Sequence, residues 1–204
     1  MSQLNILILA GGKSSRMGQD KALVPWDGVP LLQRVYRVAA ECDAPIWVMT
    51  PRSDRYRDIL PSDCQWLSES QPGRGPLVAL SEALSQLSGD WILLLGCDLP
   101  LLDAEILRDW ISRLDELPAS VLAMVPQQDE GWEPLCGFYR REVQPQLEQF
   151  LATGGRSFQA WLPQISVHPL AVGEAEAKML QNCNAPEDLP DSSSSVKTKI
   201  DRTI

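Results

Sequence analysis

The stretch Leu9-Ala10-Gly11-Gly12-Lys13-Ser14-Ser15-Arg16-Met17-Gly18-Gln19-Asp20-Lys21 decides how this chain is read, because it turns an apolar run into a loop carrying three glycines and three cations. Leu4 to Ala10 is rich in Ile and Leu and ends on two glycines. Such a run predicts a strand buried on both faces at the centre of a parallel sheet. No acidic residue precedes Asp20, although the 204-residue protein has a formal net charge of −9 at pH 7. Glycine lets a backbone approach a ligand closely and offer N–H groups to oxygen anions, while Lys13, Arg16 and Lys21 can neutralise charge that amides alone would not offset. The stretch is a candidate cradle for a triphosphate. A glycine-rich connector with ordinary surface cations is the alternative.

Two familiar phosphate-binding patterns do not fit. A Walker loop needs a glycine five residues before its Gly-Lys pair, and that position is Leu7, inside the strand. A dinucleotide fingerprint needs G-x-G-x-x-G, and Gly11, Gly12 and Gly18 are spaced otherwise. What remains is a long loop at the carboxyl end of a central strand, where open α/β sheets bind ligands.

Further along, strands and helices alternate. Pro30 suits a helix first turn, and Leu31, Leu32, Val35, Val38 and Ala39 recur at helical spacing up to Cys42. A strand follows at Ile46 to Thr50, a weak helix at Asp54 to Leu60, a short strand at Gln65 to Leu67, a helix at Leu77 to Leu87 and a strand at Trp91 to Gly96. Asp103 is a candidate N-cap for a helix reaching Leu114, and Val121 to Val125 is another apolar strand. The alternation predicts right-handed crossovers in a three-layer, Rossmann-like α/β fold: an open, mostly parallel sheet with helices on both faces. The extended segments at Glu133 to Arg140 and Ile165 to Val172 lack regular crossovers and read as mixed or antiparallel additions. Helices are expected at Val143 to Ala152 and Ser157 to Leu162, and a last ordered element from Asn182 to Leu189. The serine-rich 191–204 stretch reads as a flexible tail, leaving 1–190 as one domain.

The acidic balance argues against nucleic acid or an anionic membrane as a partner, since both demand a broad basic face. The run before Gly11 is too short to span a bilayer, and no positively charged signal region precedes it. Cys42, Cys64, Cys97, Cys136 and Cys183 are odd in number and form no C-x-x-C pair. Neither a disulfide framework nor a zinc site is indicated, and a reducing cytoplasm fits.

The loop resembles the opening signature of the molybdenum cofactor nucleotidyltransferase family, approximately L-A-G-G-x-S-x-R-M-G-x-D-K-x-L. The likeness extends to Asp27-Gly28-Val29-Pro30-Leu31, to Pro72-Gly73-Arg74-Gly75-Pro76-Leu77, to Cys97-Asp98-Leu99-Pro100 and to Asn182-Cys183-Asn184-Ala185-Pro186-Glu187-Asp188-Leu189. It therefore spans Leu4 to Leu189. The Arg-Met-Gly-x-Asp-Lys form at Arg16 to Lys21 resembles the guanylyltransferases, which attach GMP to molybdopterin. The fold implied is of the nucleotide-diphospho-sugar transferase type.

The resemblance implies GTP and molybdopterin as substrates and Mg²⁺ as cofactor, with the first half of the domain for GTP and the second for molybdopterin. Arg16, Lys21 and Asp98 are the implied catalytic residues. Leu9, Ala10, Gly11, Gly12, Gly18, Lys21, Glu69, Gly75 and Asp98 would contact the nucleotide, and Arg156, Asn182 and Asn184 the molybdopterin. Asp98 follows an apolar strand, so it should emerge beside the first loop, where one carboxylate suffices for a metal that keeps waters and phosphate oxygens; a turn cap next to Pro100 is the plainer alternative. Glu69 stands where many relatives carry Asp, and a solvated loop acid is its plainer reading. Transient contact with molybdopterin-donor and apo-molybdoenzyme proteins is a family expectation. The only histidine, His168, has no nucleophile pattern around it and reads as structural. The competing readings are a cytidylyltransferase or sugar-phosphate nucleotidyltransferase of the same fold, and a non-catalytic GTP-binding module.

Overall fold

Strand β1 (Leu4–Leu9) owes its place to alternation: Ile6 and Ile8 are fully buried on one face of the sheet and Leu7 on the other, as a pleated strand requires. The computed structural model describes residues 2–11 and 20–183. Gly12, Lys13, Arg16, Gly18, Asn184 and the predicted tail lie outside the described residues.

After β1 the described chain continues through β2 (Pro25–Trp26), β3 (Val29–Pro30), α1 (Leu31–Ala39), β4 (Ile46–Met49), β5 (Gln65–Leu67), α2 (Pro76–Gln86), β6 (Trp91–Gly96) and α3 (Ala104–Ser112). There follow β7 (Ala123–Gln128), β8 (Gly131–Trp132), β9 (Cys136–Arg140), α4 (Gln144–Ala152), α5 (Phe158–Trp161), β10 (Val167–Leu170) and α6 (Glu174–Met179). The main sheet has the order β10-β7-β9-β6-β1-β4-β5, with β8 added to β7. β1 pairs parallel with both β4 and β6. The chain builds β4 and β5 on one side of β1 and then returns to place β6 on the other. That reversal is a topological switch point, and it lies between β1 and β6.

Helices cover both faces. Leu32 and Val35 of α1 and Leu107 and Trp110 of α3 join Ile6, Ile8, Leu93 and Leu95 in one core. Leu77, Leu80 and Leu84 of α2, with Leu147 of α4 and Phe158 and Trp161 of α5, join Leu7, Ile92 and Leu94 in the other. In this second core Trp161 stacks on Tyr139 at 6.1 Å and meets Phe158 edge-on at 6.0 Å. Trp161 is thus a core side chain, and Trp132 sits half-buried on β8. The three-layer, mostly parallel architecture agrees with the sequence reading.

Several details differ. The segment after β4 forms only a short 3-10 turn at Ser53–Arg55, where a helix over 54–60 was expected. Tyr56 and Leu60 are buried in the core and Ile59 packs against it, but this single cluster, with Pro61 directly after it, is too short to sustain a helix. β9 runs antiparallel between β6 and β7, as the loss of a helical crossover implied. β10, however, runs parallel to β7, because α4 and α5 carry the chain back before it begins. β7 starts two residues later than predicted and reaches Gln128. The hairpin β2–β3 turns on Asp27 and Gly28 at φ 48° and 77°, the positive-φ pair that a two-residue Asp-Gly turn demands. The short helix α6 went unpredicted; it buries Met179, and Glu176 accepts from the Gly173 N–H at 3.0 Å.

Asp103 does cap α3, accepting from the backbone N–H groups of Glu105 at 2.8 Å and Ile106 at 3.3 Å. Replacing it with alanine should lower stability by about 1 kcal/mol in urea unfolding, with the slope of the transition unchanged.

Candidate active site at the β1–β6 switch point

Register puts Leu9 opposite Gly96 at the carboxyl ends of β1 and β6. The hydrogen bonding continues one step further on each side: the Cys97 N–H donates to the Leu9 carbonyl at 3.3 Å and the Ala10 N–H to the Met49 carbonyl at 2.9 Å. Ala10 and Gly11 therefore leave the sheet beside Cys97 and Asp98. Gly11 has φ 142°, and a Cβ there would lie 3.0 Å from Pro51 Cδ. Gly96 has no room for a side chain either, since a Cβ would collide with Asp98 Oδ1. Glycine at the end of β6 thus lets the carboxylate fold back over the strand.

Lys21 reaches into the same place. Its Nζ lies 2.7 Å from Asp98 Oδ2, and both side chains are about four-fifths buried, at 18% and 19% exposure. The other carboxylate oxygen, Asp98 Oδ1, is buried and has no hydrogen-bond partner among the described residues. An unsatisfied anionic oxygen carries a large desolvation cost unless a donor or cation completes it. The arrangement fits a hard cation. No group of three or more His, Cys, Asp or Glu side chains assembles among the described residues.

The turn that carries Asp98 is held from two directions. Arg34 Nε of α1 donates to the Pro100 carbonyl at 3.2 Å, and the Cys183 N–H donates to the Asp98 carbonyl at 2.9 Å. Asn182 is thereby tethered next to Asp98, while Cys183 buries itself with Val24, Leu31 and Trp26 just past Lys21. Cys183 thus joins the Asp98 turn to the segment that follows Lys21.

Glu69 and Gly75 lie at the same carboxyl edge but after β5, three strand spacings from β6, or roughly 14 Å. Gly75, at φ 97°, opens α2, with Pro76 in its first turn. Glu69 is half-buried; burial raises its pKa above the ordinary 4.5 and the Glu82 charge adds to this, against a hydrogen bond from the Gly73 backbone. Arg156 follows α4. Gln159, three residues on, exchanges hydrogen bonds of 3.0 and 2.6 Å with the Trp132 backbone at the carboxyl end of β7, so this segment too lies at the ligand-binding edge. The Arg156 guanidinium is exposed and donates to the Leu151 and Gly155 carbonyls, closing the end of α4. His168 sits exposed on the edge strand β10.

Two features of the site escaped the sequence reading. Asp20 was passed over as the one acid in the loop; its short side chain immediately before a turn was the available signal, that of an N-cap. Glu133 is half-buried, accepts from Gln128 Nε2 at 2.9 Å, and has its pKa raised chiefly by burial, with Glu130 and Asp98 adding to it. Its nearness to Asp98 comes from the long-range pairing of β6 with β9, which no local pattern reveals.

An open sheet whose switch point gathers a glycine-bearing strand end, a lysine and a metal-competent aspartate has the architecture of the nucleotide-diphospho-sugar transferase fold. A solved structure of molybdopterin-guanine dinucleotide biosynthesis protein A from Archaeoglobus fulgidus superposes with a TM-score of 0.76 at 20% identity, covering 90% of this chain and 94% of that one. CMP:2-keto-3-deoxy-manno-octonic acid synthetase complexed with CTP superposes at 0.69 and 15% identity, covering 92% and 95%. The sequence profile of the MobA-like NTP transferase domain matches residues 6–166. Among curated relatives, a probable molybdenum cofactor guanylyltransferase of Trichormus variabilis is 48% identical over 93% of this chain and 90% of its own length. A molybdenum cofactor guanylyltransferase of Pseudomonas putida is 35% identical over 92% and 96%. The chain belongs to the MobA-like NTP transferase family and is a nucleotidyltransferase.

The raised pKa of Glu133 has a thermodynamic consequence. A carboxyl that holds its proton more tightly folded than unfolded makes the unfolded chain the better acid, so stability falls as pH rises through the window above 4.5. Glu133→Gln should therefore melt higher than the parent protein near neutrality, and the gap should close as pH drops to about 4, measured by thermal unfolding across that range.

Proposed function

We propose that the protein transfers GMP from GTP to the terminal phosphate of molybdopterin, releasing pyrophosphate and forming the guanine dinucleotide form of the cofactor. The observation that carries this reading is the Lys21–Asp98 pair at the switch point, with Asp98 Oδ1 left for a cation. The names of the relatives at 48% and 35% identity supply the substrates.

The nucleophile is a phosphate oxygen already ionised near neutral pH. No general base is needed, so the chain's contribution is positioning and charge neutralisation. Leu9, Ala10, Gly11 and Gly75 bring backbone close to the nucleotide, together with Gly12 and Gly18 of the loop. Lys21 moves its ammonium from Asp98 toward the phosphates, and Arg16 shares in countering charge that develops there. Asp98 would hold Mg²⁺, which when bound supplies Lewis-acid neutralisation of the phosphates. Glu69, about three strands away, lies at the right span for the base or ribose; guanine offers two adjacent N–H donors to a carboxylate and cytosine does not.

On the acceptor side, Asn182 is held beside Asp98 through Cys183, and Asn182 and Asn184 offer both donors and acceptors to a pterin. Arg156 reaches a phosphate by exchanging the exposed carbonyls it now caps. Residues 1–190 act as one unit, with GTP in the first half and molybdopterin in the second. The reaction takes place in the cytoplasm, with molybdopterin received from a donor protein and the labile product handed on to an apo-molybdoenzyme, both through transient contacts. No helix among the described residues is long and apolar enough to cross a membrane.

Two measurements test the reading. With all four nucleoside triphosphates competing, GTP should be consumed in preference; equal use of CTP would overturn guanine selectivity. Asp98→Asn should cut magnesium-dependent pyrophosphate release by a factor on the order of 100 or more while the melting temperature moves little. Unchanged turnover would remove Asp98 from the metal role and favour a binding module.

A further inference from the structure

Asp20 precedes Lys21, and its carboxylate is fully engaged. Oδ1 accepts from the Ala22 N–H at 3.3 Å, capping the 3-10 turn Lys21–Leu23 from which the lysine side chain departs. Oδ2 accepts from the Tyr56 hydroxyl at 2.9 Å and from Arg55 Nη1 at 3.0 Å. Both donors come from the segment after β4, and they differ in kind. The Arg55 side chain is 40% exposed, so water can replace its donor. Tyr56 is 2% exposed and packed in the core beneath α1. Burial, reinforced by the Asp20 hydrogen bond, pushes the phenol pKa well above its ordinary value. The hydroxyl therefore stays protonated and donates throughout the physiological range.

The same segment also abuts the other side of the site, where Pro51 lies against Gly11. Residues 50–56 form a wall that touches the chain at residue 11 and again at residue 20. From the turn that this wall holds at Asp20, the Lys21 side chain extends to within 2.7 Å of Asp98. A rotation of the turn by one bond would displace an ammonium at the end of a four-carbon stem by an ångström or more, and displacements of about 1 Å cost heavily in group transfer.

We infer that Tyr56, assisted by Arg55, is a positioning residue for Lys21 and acts through Asp20. This rests on the reading that Lys21 engages the nucleotide phosphates. Tyr56 touches neither substrate nor metal; it ties the turn carrying the reactive cation to the hydrophobic core.

The test is a double-mutant cycle between Tyr56→Phe and Lys21→Met, read both as binding of GTP with Mg²⁺ and as turnover. Tyr56→Phe alone should weaken nucleotide binding and lower kcat by about five- to tenfold, the worth of one ordinary hydrogen bond, since Arg55 still holds the same carboxylate oxygen. The KM for molybdopterin should hardly change, and the melting temperature should fall by about the same few degrees in both backgrounds. In the Lys21→Met background the same substitution should cost less than about twofold, because residues in one network are not additive. Asp20→Asn, which keeps the side-chain shape, should show the same dependence on Lys21, and Arg55→Ala a smaller loss. An equal loss in both backgrounds, or none with Lys21 present, would overturn the inference. If the parent protein binds GTP without transferring GMP, the proposed reaction fails while the binding cycle still decides the role of Tyr56.

Discussion

The parallel pairing of β1 with β6, in the register that sets Leu9 against Gly96, is the constraint on which the rest of the site depends. It brings the end of the glycine-bearing strand and the turn carrying Asp98 to adjacent positions, although they are nearly ninety residues apart in the chain. Because the chain reverses its direction of sheet growth between these two strands, the helices after them lie apart and leave a crevice. Every other positioning contact refers back to that pair. Arg34 and Cys183 hold the Asp98 turn, and Pro51 and Tyr56 hold the chain that leaves β1.

The electrostatics follow from this placement. A chain with net charge −9 has little long-range attraction for a triphosphate, so the proposed binding has to be local. Lys21 and Asp98 neutralise one another while partly buried. Such a pair contributes only modestly to stability, because Coulombic gain is set against lost hydration. Its value lies in pre-placing a cation and a carboxylate that would otherwise be free to reorient. The orphaned Asp98 Oδ1 and the half-buried carboxylates of Glu69 and Glu133 indicate that this edge is organised at some cost to the fold, as sites shaped for ligands commonly are.

Much of the fold was legible in the sequence, for identifiable reasons. Continuous apolar runs such as Leu4 to Ala10 and Trp91 to Gly96 name central strands, and the 3.6-residue spacing in α1 and the cap at Asp103 name helices. The misreadings cluster where local pattern is weak. The segment around Tyr56 has a single apolar cluster that imitates helical spacing without the length to sustain a helix, α6 buries little, and β10 took its direction from the path of α4 and α5. For the candidate site, Lys21 and Asp98 could be named from the sequence, but not the contact between them. Arg156 could be named too, but not its use of the guanidinium to close α4.

By itself the sequence determined the elements and the kinds of side chain at their ends: a buried strand opening into a glycine loop, a strand ending on an aspartate, and cations in the loop. These are local properties, set by side-chain polarity, periodicity and the conformational freedom of glycine. Tertiary structure alone decided which of those groups meet. The Lys21–Asp98 distance, the docking of Cys183 on the Asp98 turn and the anchoring of Asp20 by Tyr56 all depend on strand order, register and crossover direction. Those quantities arise from burying both faces of one sheet at once, a requirement on the whole chain that no short stretch of it encodes.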